Sequence, residues 1–113
     1  MKQVEKISIA ELSEMAQKMY GTIVKADIDL VKGTLLVDME MHADGEAYLI
    51  EQGSKQTDLW GFNLHPDKYG SDDFIEFDSM INIRPRQNNP TRDILDEDVR
   101  NKIWAKVSEV VYE

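Results

Sequence analysis

The 113 residues predict a single α+β domain: a four-stranded, mainly antiparallel sheet with helices on one face, in the order α-β-β-α-β-β-α. Three observations carry this expectation. Apolar residues recur every three or four positions near both ends of the chain, and they alternate every second position between. Glycine, proline or asparagine stands where one period gives way to the other. The length suits one domain, residues 1–113, with a core of its own, and 42% hydrophobic with 31% charged residues is a globular composition.

Ser8 and Glu11 have the spacing of a capping box, and Ile7 with Leu12 that of a hydrophobic staple, so a helix is expected to begin here. Leu12, Met15, Ala16, Met19 and Tyr20 form its apolar stripe, and Gly21 is its expected stop. From Thr22 the period becomes two. Val24, Ala26, Ile28 and Leu30 share one face of a strand, opposed to Ile23, Lys25, Asp27 and Asp29. After Val31-Lys32-Gly33-Thr34 the alternation resumes with Leu35, Val37, Met39 and Met41, which predicts a hairpin pairing Leu30 with Leu35.

Asp44 to Gln52 predicts a short helix, with Asp44 as N-cap and Gly53 as stop. Trp60, Phe62 and Leu64 then alternate up to Pro66. A polar loop leads into the longest expected strand, with Ile75, Phe77, Ser79, Ile81 and Ile83 on one face, ended by Pro85. After an irregular stretch, Asp96 opens a final helix carrying Val99, Ile103, Val107 and Val110. Trp60, Phe62, Phe77 and Trp104 are expected to fill the core.

Composition narrows the function. The chain has no cysteine, which excludes a thiolate metal site, a cysteine nucleophile and disulfides, and makes the cytoplasm the expected compartment. No apolar run approaches the roughly 20 residues of a membrane span, and the first residues lack the pattern of a signal peptide. Thirteen basic against 22 acidic residues give a formal charge of -9, which disfavours generic nucleic-acid binding. No motif calls for a cofactor.

The stretches HADGEAYLIEQGSKQTDLWGFNLHP (42–66) and FIEFDSMINIRPRQNNPTR (74–92) resemble a family of short prokaryotic proteins of unknown function, and the resemblance extends over most of the chain. It implies a shared fold and assigns no activity and no site residue.

Two places carry side chains suited to chemistry. On the polar face of the first hairpin the expected register sets Asp27 against Asp38, Lys25 against Glu40 and Ile23 against His42. Two carboxylates face to face ask for a cation, a shared proton or water, so Asp27, Asp38, His42, Asp44 and Glu46 are candidate ligands for a hard divalent ion. The plainer reading is a solvated hairpin face, with Asp44 an ordinary cap. The second place is the loop from Arg84 to Arg92, which holds three arginines and no acid in a chain of negative charge. Arg84, Arg86, Gln87, Asn88, Asn89 and Arg92 offer donors suited to a carboxylate or phosphate just before a helix N-terminus. The plainer reading pairs the arginines with Asp93, Asp96, Glu97 and Asp98 and spends the amides on the loop backbone.

The leading functional expectation is a small binding or regulatory domain that takes an anionic ligand or an acidic partner surface at this loop. With no evident nucleophile or triad, binding stands ahead of catalysis. The runner-up is a small metal-dependent hydrolase using His42, Asp44, Glu46, Glu76 and Asp78, with His65 as a further ligand or base. A toxin–antitoxin type regulator is the third reading.

Overall fold

The computed structural model describes residues 1–113. Its core is a five-stranded antiparallel sheet. The strands are β1 (Lys2–Val4), β3 (Val24–Asp29), β4 (Thr34–Val37), β5 (Leu59–Leu64) and β6 (Ile75–Glu76), in the order β1-β4-β3-β5-β6. Two short segments, β2 (Ile7–Ser8) and β7 (Val111–Tyr112), pair in parallel and tie the two ends of the chain together. The helices are α1 (Ile9–Met19), α2 (His42–Glu51) and α3 (Glu97–Val110).

The expected α+β class holds, while the strand count and the order differ. The fifth strand is β1, whose three residues are too few to show a period and are recruited by the edge of β4. The caps of the long helices are where the sequence puts them. Ser8 Oγ accepts from the Glu11 N–H at 3.1 Å, and Asp96 Oδ1 accepts from Asp98 N at 2.8 Å. Glu11 closes its box on the Ser8 hydroxyl at 3.3 Å rather than on the Ser8 backbone. Gly21, at φ 88°, ends α1 by turning its N–H back to Ala16 O.

Alternation also sorts the residues of β3, β4 and β5 by face, but not Met39: expected beside Leu35 and Val37, it lies past the turn at Asp38 and packs on the other side with Leu36. Leu12 and Ala16 of α1 and Ile103, Val107 and Val110 of α3 pack on one side, in a cluster with Val24, Ala26, Ile28, Leu35, Val37, Phe62 and Leu64. Trp60 belongs to the same core, and Phe77 and Trp104 lie half-buried against it.

Three expectations are overturned. First, the helices do not share one face: α2 lies on the opposite side, where Leu49 packs with Leu36, Met39 and Leu59. The polar face of the hairpin is therefore an interior, and Asp27 and Asp29 are buried there.

Second, the hairpin register is shifted by two residues, with Ile28 opposite Leu35 and Asp27 opposite Leu36. The cause is the turn. Asp29 Oδ1 accepts from Val31 N and Lys32 N, both at 2.9 Å, and Gly33 at φ 73° returns its N–H to Asp29 O, so the loop starts one residue early. An even shift keeps every side chain on its face. β4 ends at Val37 because Asp38 turns to φ 67°, and α2 begins at His42, with Asp44 in its first turn accepting from Met41 N at 3.3 Å instead of standing at the N-cap.

Third, the longest expected strand pairs over only two residues, Ile75 and Glu76, against Leu64 and Asn63. Beyond it the chain closes into a 3₁₀ turn, Met80–Asn82, in which Asn82 points inward while Met80 and Ile83 are exposed.

Candidate functional site

The sheet face under α2 positions the first candidate group. Asp27 projects from the middle of β3 and His42 from the first turn of α2, and His42 Nδ1 lies 2.9 Å from Asp27 Oδ1. The ring's other nitrogen, Nε2, lies 3.0 Å from Asn63 Oδ1 on the neighbouring strand β5. Asn63 Nδ2 donates to Glu76 Oε1 at 2.9 Å and to the Asp78 carbonyl at 3.3 Å, and His65 Nε2 reaches the same Glu76 oxygen at 3.3 Å. A polar chain thus runs from the buried Asp27 through His42, Asn63 and Glu76 to the half-buried His65 near the surface.

Hydrogen-bond logic fixes where the protons sit. Both partners of the Asn63 NH2 group are acceptors, so its carbonyl must face His42, and Nε2 must carry a hydrogen. Nδ1 then faces a carboxyl oxygen, and the contact needs one proton, held either as a carboxylic acid or as an imidazolium beside a carboxylate. Burial raises Asp27 from 3.8 to about 6. It outweighs the hydrogen bond and charge of His42, which lower it, and the charge of Glu46 adds to the rise. Asp27 Oδ2 has no hydrogen-bond partner, nor has the enclosed Oε2 of Glu46.

α2 can approach this close only because residue 45 is glycine: a β-carbon there would overlap Asp27 Oδ2 and stand 3.0 Å from Met39 Sδ. Gly61 plays the same part on β5, where a β-carbon would meet Ser79 Oγ at 2.7 Å and His42 Nδ1 at 3.0 Å. The neighbouring Asp29 is a turn-former. Burial by itself would raise its carboxyl, but hydrogen bonds from Ser54, Lys32 and Val31 outweigh that and hold it below its ordinary value.

Of the five residues singled out as metal ligands, the fold brings together Asp27 and His42, with Glu46 as their electrostatic neighbour. Asp38 sits in the turn after β4 with its N–H on Lys25 O, so it does not face Asp27, and the carboxylate of Asp44 is spent on the start of α2. No three histidine, aspartate or glutamate side chains gather where one ion could join them.

The arginine-bearing loop is built from the inside. Asn82 spans the open edge of β5, its Oδ1 accepting from Gly61 N at 2.9 Å and its Nδ2 donating to Gly61 O at 2.8 Å and Arg92 O at 3.0 Å. One amide side chain thus replaces a missing strand partner. Asn89 Nδ2 donates to the carbonyls of Asn82 at 2.7 Å, Asp93 at 2.7 Å and Thr91 at 3.2 Å, and its Oδ1 accepts from Leu95 N at 2.9 Å. Arg84 is 8% exposed. It stacks over Trp60 with 4.5 Å from its guanidinium carbon to the ring centroid, and it donates to Ile81 O, Leu59 O and Gln87 Oε1. Burial pulls its pKa down, against the charge of Glu46, which raises it.

Arg92 pairs with Asp78 at 2.6 Å, and Gln87 Nε2 donates to Thr57 O at 3.2 Å. Arg86 and Asn88 are exposed, and their side chains make no hydrogen bond or ion pair with the protein. Beside this loop a cleft of about 430 Å³ opens towards the start of α3, lined by Thr57, Trp60, Asn88, Asn89, Leu95 and Val99 among others. Asn63, Ser79 and Asn82 escaped the sequence reading as organising residues. The signal that marks them is an amide or hydroxyl inside an apolar run: Asn63 between Phe62 and Leu64, Asn82 between Ile81 and Ile83.

Residues 3–110 match the model of a family described as "Protein of unknown function (DUF5674)". No curated protein matches the chain, and no solved structure does. No helix is long and apolar enough to cross a membrane.

Proposed function

The chain belongs to that family of unknown function, and from this premise we propose that it is a small binding domain whose ligand seat is the cleft beside the 84–92 loop. The observation that carries the reading is the contrast within the loop. Asn82, Arg84 and Asn89 are buried and hydrogen-bonded to irregular backbone, while Arg86 and Asn88 are left with free donors, Asn88 on the lining of a concave, partly apolar surface. Donors carried on a rigid loop bind without an ordering cost, and a cleft of this size falls in the range of small-molecule sites.

The ligand class is a small molecule with an acidic group, taken by the Asn88 amide, with Arg86 two residues away in the loop and the apolar part against Leu95 and Val99; Asp96, the one carboxylate of the lining, has Oδ1 engaged by the N–H groups of Asp98 and Val99. No specific observation favours the metal-dependent hydrolase or the toxin–antitoxin regulator.

The test is a thermal-shift and ligand-observed NMR screen of the full chain against carboxylated and phosphorylated metabolites. A hit should be lost in Arg86→Ala with Asn88→Ala and in Val99→Trp, which fills the cleft, with circular dichroism unchanged. Hits that survive all three substitutions, or a screen silent at millimolar ligand, would remove the cleft from consideration.

A further inference from the structure

A second concave surface is lined by none of the candidate site residues the sequence singled out. Four lysines line it, from three separate segments. Lys6 stands between β1 and β2, Lys32 in the turn between β3 and β4, and Lys102 and Lys106 one turn apart on α3. Two adjoining depressions, of about 470 Å³ and 280 Å³, share Gly33, Lys106 and Glu109 and so form one groove around Lys106.

The charge of this groove runs against that of the protein. Its lining residues include four lysines and two glutamates, Glu5 and Glu109, on a chain of net charge -9, and the ammonium of Lys32 alone is turned away, towards the end of α2. None of the four lysines has a carboxylate within 4.0 Å. Lys6 Nζ is anchored on Glu109 O at 2.6 Å and Lys32 Nζ touches Gln52 O at 3.3 Å, while Lys102 and Lys106 make no hydrogen bond through their ammonium groups. The dipole of α3, whose negative end lies at Val110, acts over the last turn, which holds no basic residue, and so accounts for none of these lysines. Gly33, at φ 73°, leaves room beside the turn, since even a β-carbon there would lie 3.7 Å from Lys106 Nζ.

Like charges gathered in a concavity repel one another and focus a positive potential that a multivalent anion relieves. Lysine ammonium groups act as point charges suited to phosphate oxygens. The groove is closed in extent, within the range of small-molecule sites, and the rest of the surface is acidic, which sets it apart from the basic stripe that a nucleic-acid backbone needs. One end is apolar, with Leu30 and Ala105, and would receive the organic part of a phosphate ester.

We propose that the groove between the β3–β4 turn and α3 binds a small, multiply charged phosphate compound of the diphosphate or nucleotide class through Lys6, Lys102 and Lys106.

The test titrates the full chain with inorganic pyrophosphate and with adenosine triphosphate at low salt, followed by two-dimensional NMR and calorimetry. The expected result is a saturable change centred on the amides of Lys32, Gly33, Thr34 and Lys106. Affinity should fall about ten-fold in the double variant Lys102→Ala with Lys106→Ala, and stay unchanged in a control pair, Lys18→Ala with Lys55→Ala. The proposal is overturned if sodium chloride of matched ionic strength gives the same changes, if the control pair loses as much affinity as the groove pair, or if neither phosphate binds. Tighter binding of a single-stranded RNA oligonucleotide than of either phosphate would overturn the ligand class in favour of nucleic acid. Changes confined to Asn88 and its neighbours would move phosphate to the other cleft and end the claim for this one.

Discussion

Asp27 is the residue whose environment departs furthest from what its type prefers. An aspartate on the polar face of an alternating strand belongs in water, yet here it lies under α2 with one oxygen on His42 and the other without a partner. Its carboxyl moves from 3.8 to about 6, so the folded protein holds the proton more tightly than the unfolded chain. The stability this adds is complete below about pH 3.8 and is lost as pH rises through about 6. Asn at this position has no such proton. Relative to the wild type, Asp27→Asn should therefore gain on the order of 2 kcal/mol on going from pH 4 to pH 7, read from urea denaturation at both. Parallel pH profiles for the two proteins would show that the raised carboxyl is not coupled to folding. Gly45 is the other half of the same packing: Gly45→Ala places a methyl group on the Asp27 carboxyl, and the expected loss is about 1–3 kcal/mol in the same assay, despite the better helix propensity of alanine.

At the level of elements, the segment after β6 is held by side chains doing what backbone does elsewhere. A strand from 75 to 84 would have covered the edge of β5 with its own amides. Here Asn82 covers Gly61 with one side chain, and Ser79, accepting from Ile81 N at 3.3 Å, starts the turn that brings it there. Removing that amide leaves a buried N–H and C=O without partners. Asn82→Ala should therefore cost about 2–4 kcal/mol, and hydrogen exchange at the Gly61 amide should accelerate more than at neighbouring β5 amides. Uniform acceleration along β5 would mean that the loss is global unfolding and not an opened edge. Helix starts are more local features: Ser8→Ala should cost about 1 kcal/mol, through the cap on Glu11 N alone.

Across the whole molecule, the two chain ends are joined by the parallel pair of β2 and β7, with Ile7 and Val111 both buried in the main core. A tail that merely frayed could be trimmed without effect. Deleting residues 111–113 should instead lower stability by roughly 2–3 kcal/mol, because it exposes Ile7 and removes the Val111 side chain from the core. A deletion variant with the melting temperature of the full chain would show that the pair contributes nothing. The molecular charge acts at this scale too: at -9 the surface as a whole repels polyanions, so a cationic groove has to work locally and at short range.

Sequence alone determined whatever depends on neighbours a few residues away. The caps at Ser8 and Asp96, the stops at Gly21 and Gly53, and the division of β3, β4 and β5 into an apolar and a polar face all follow from spacing and from glycine's access to positive φ. The loop from Arg84 to Arg92 was legible as unusual in composition, but which of its donors are free was not, because that depends on carbonyls at Thr57, Leu59 and Ile81. Only the tertiary structure decided what covers each face. Periodicity states that Asp27 and Asp29 lie together, and it carries no information on whether water or a helix lies above them. The even register shift, the crossing of α2 to the second face and the inward turn of Asn82 all arise from partners distant in the chain. Each replaces solvent with a specific group, so each changes the chemistry of a residue without changing its place in the pattern.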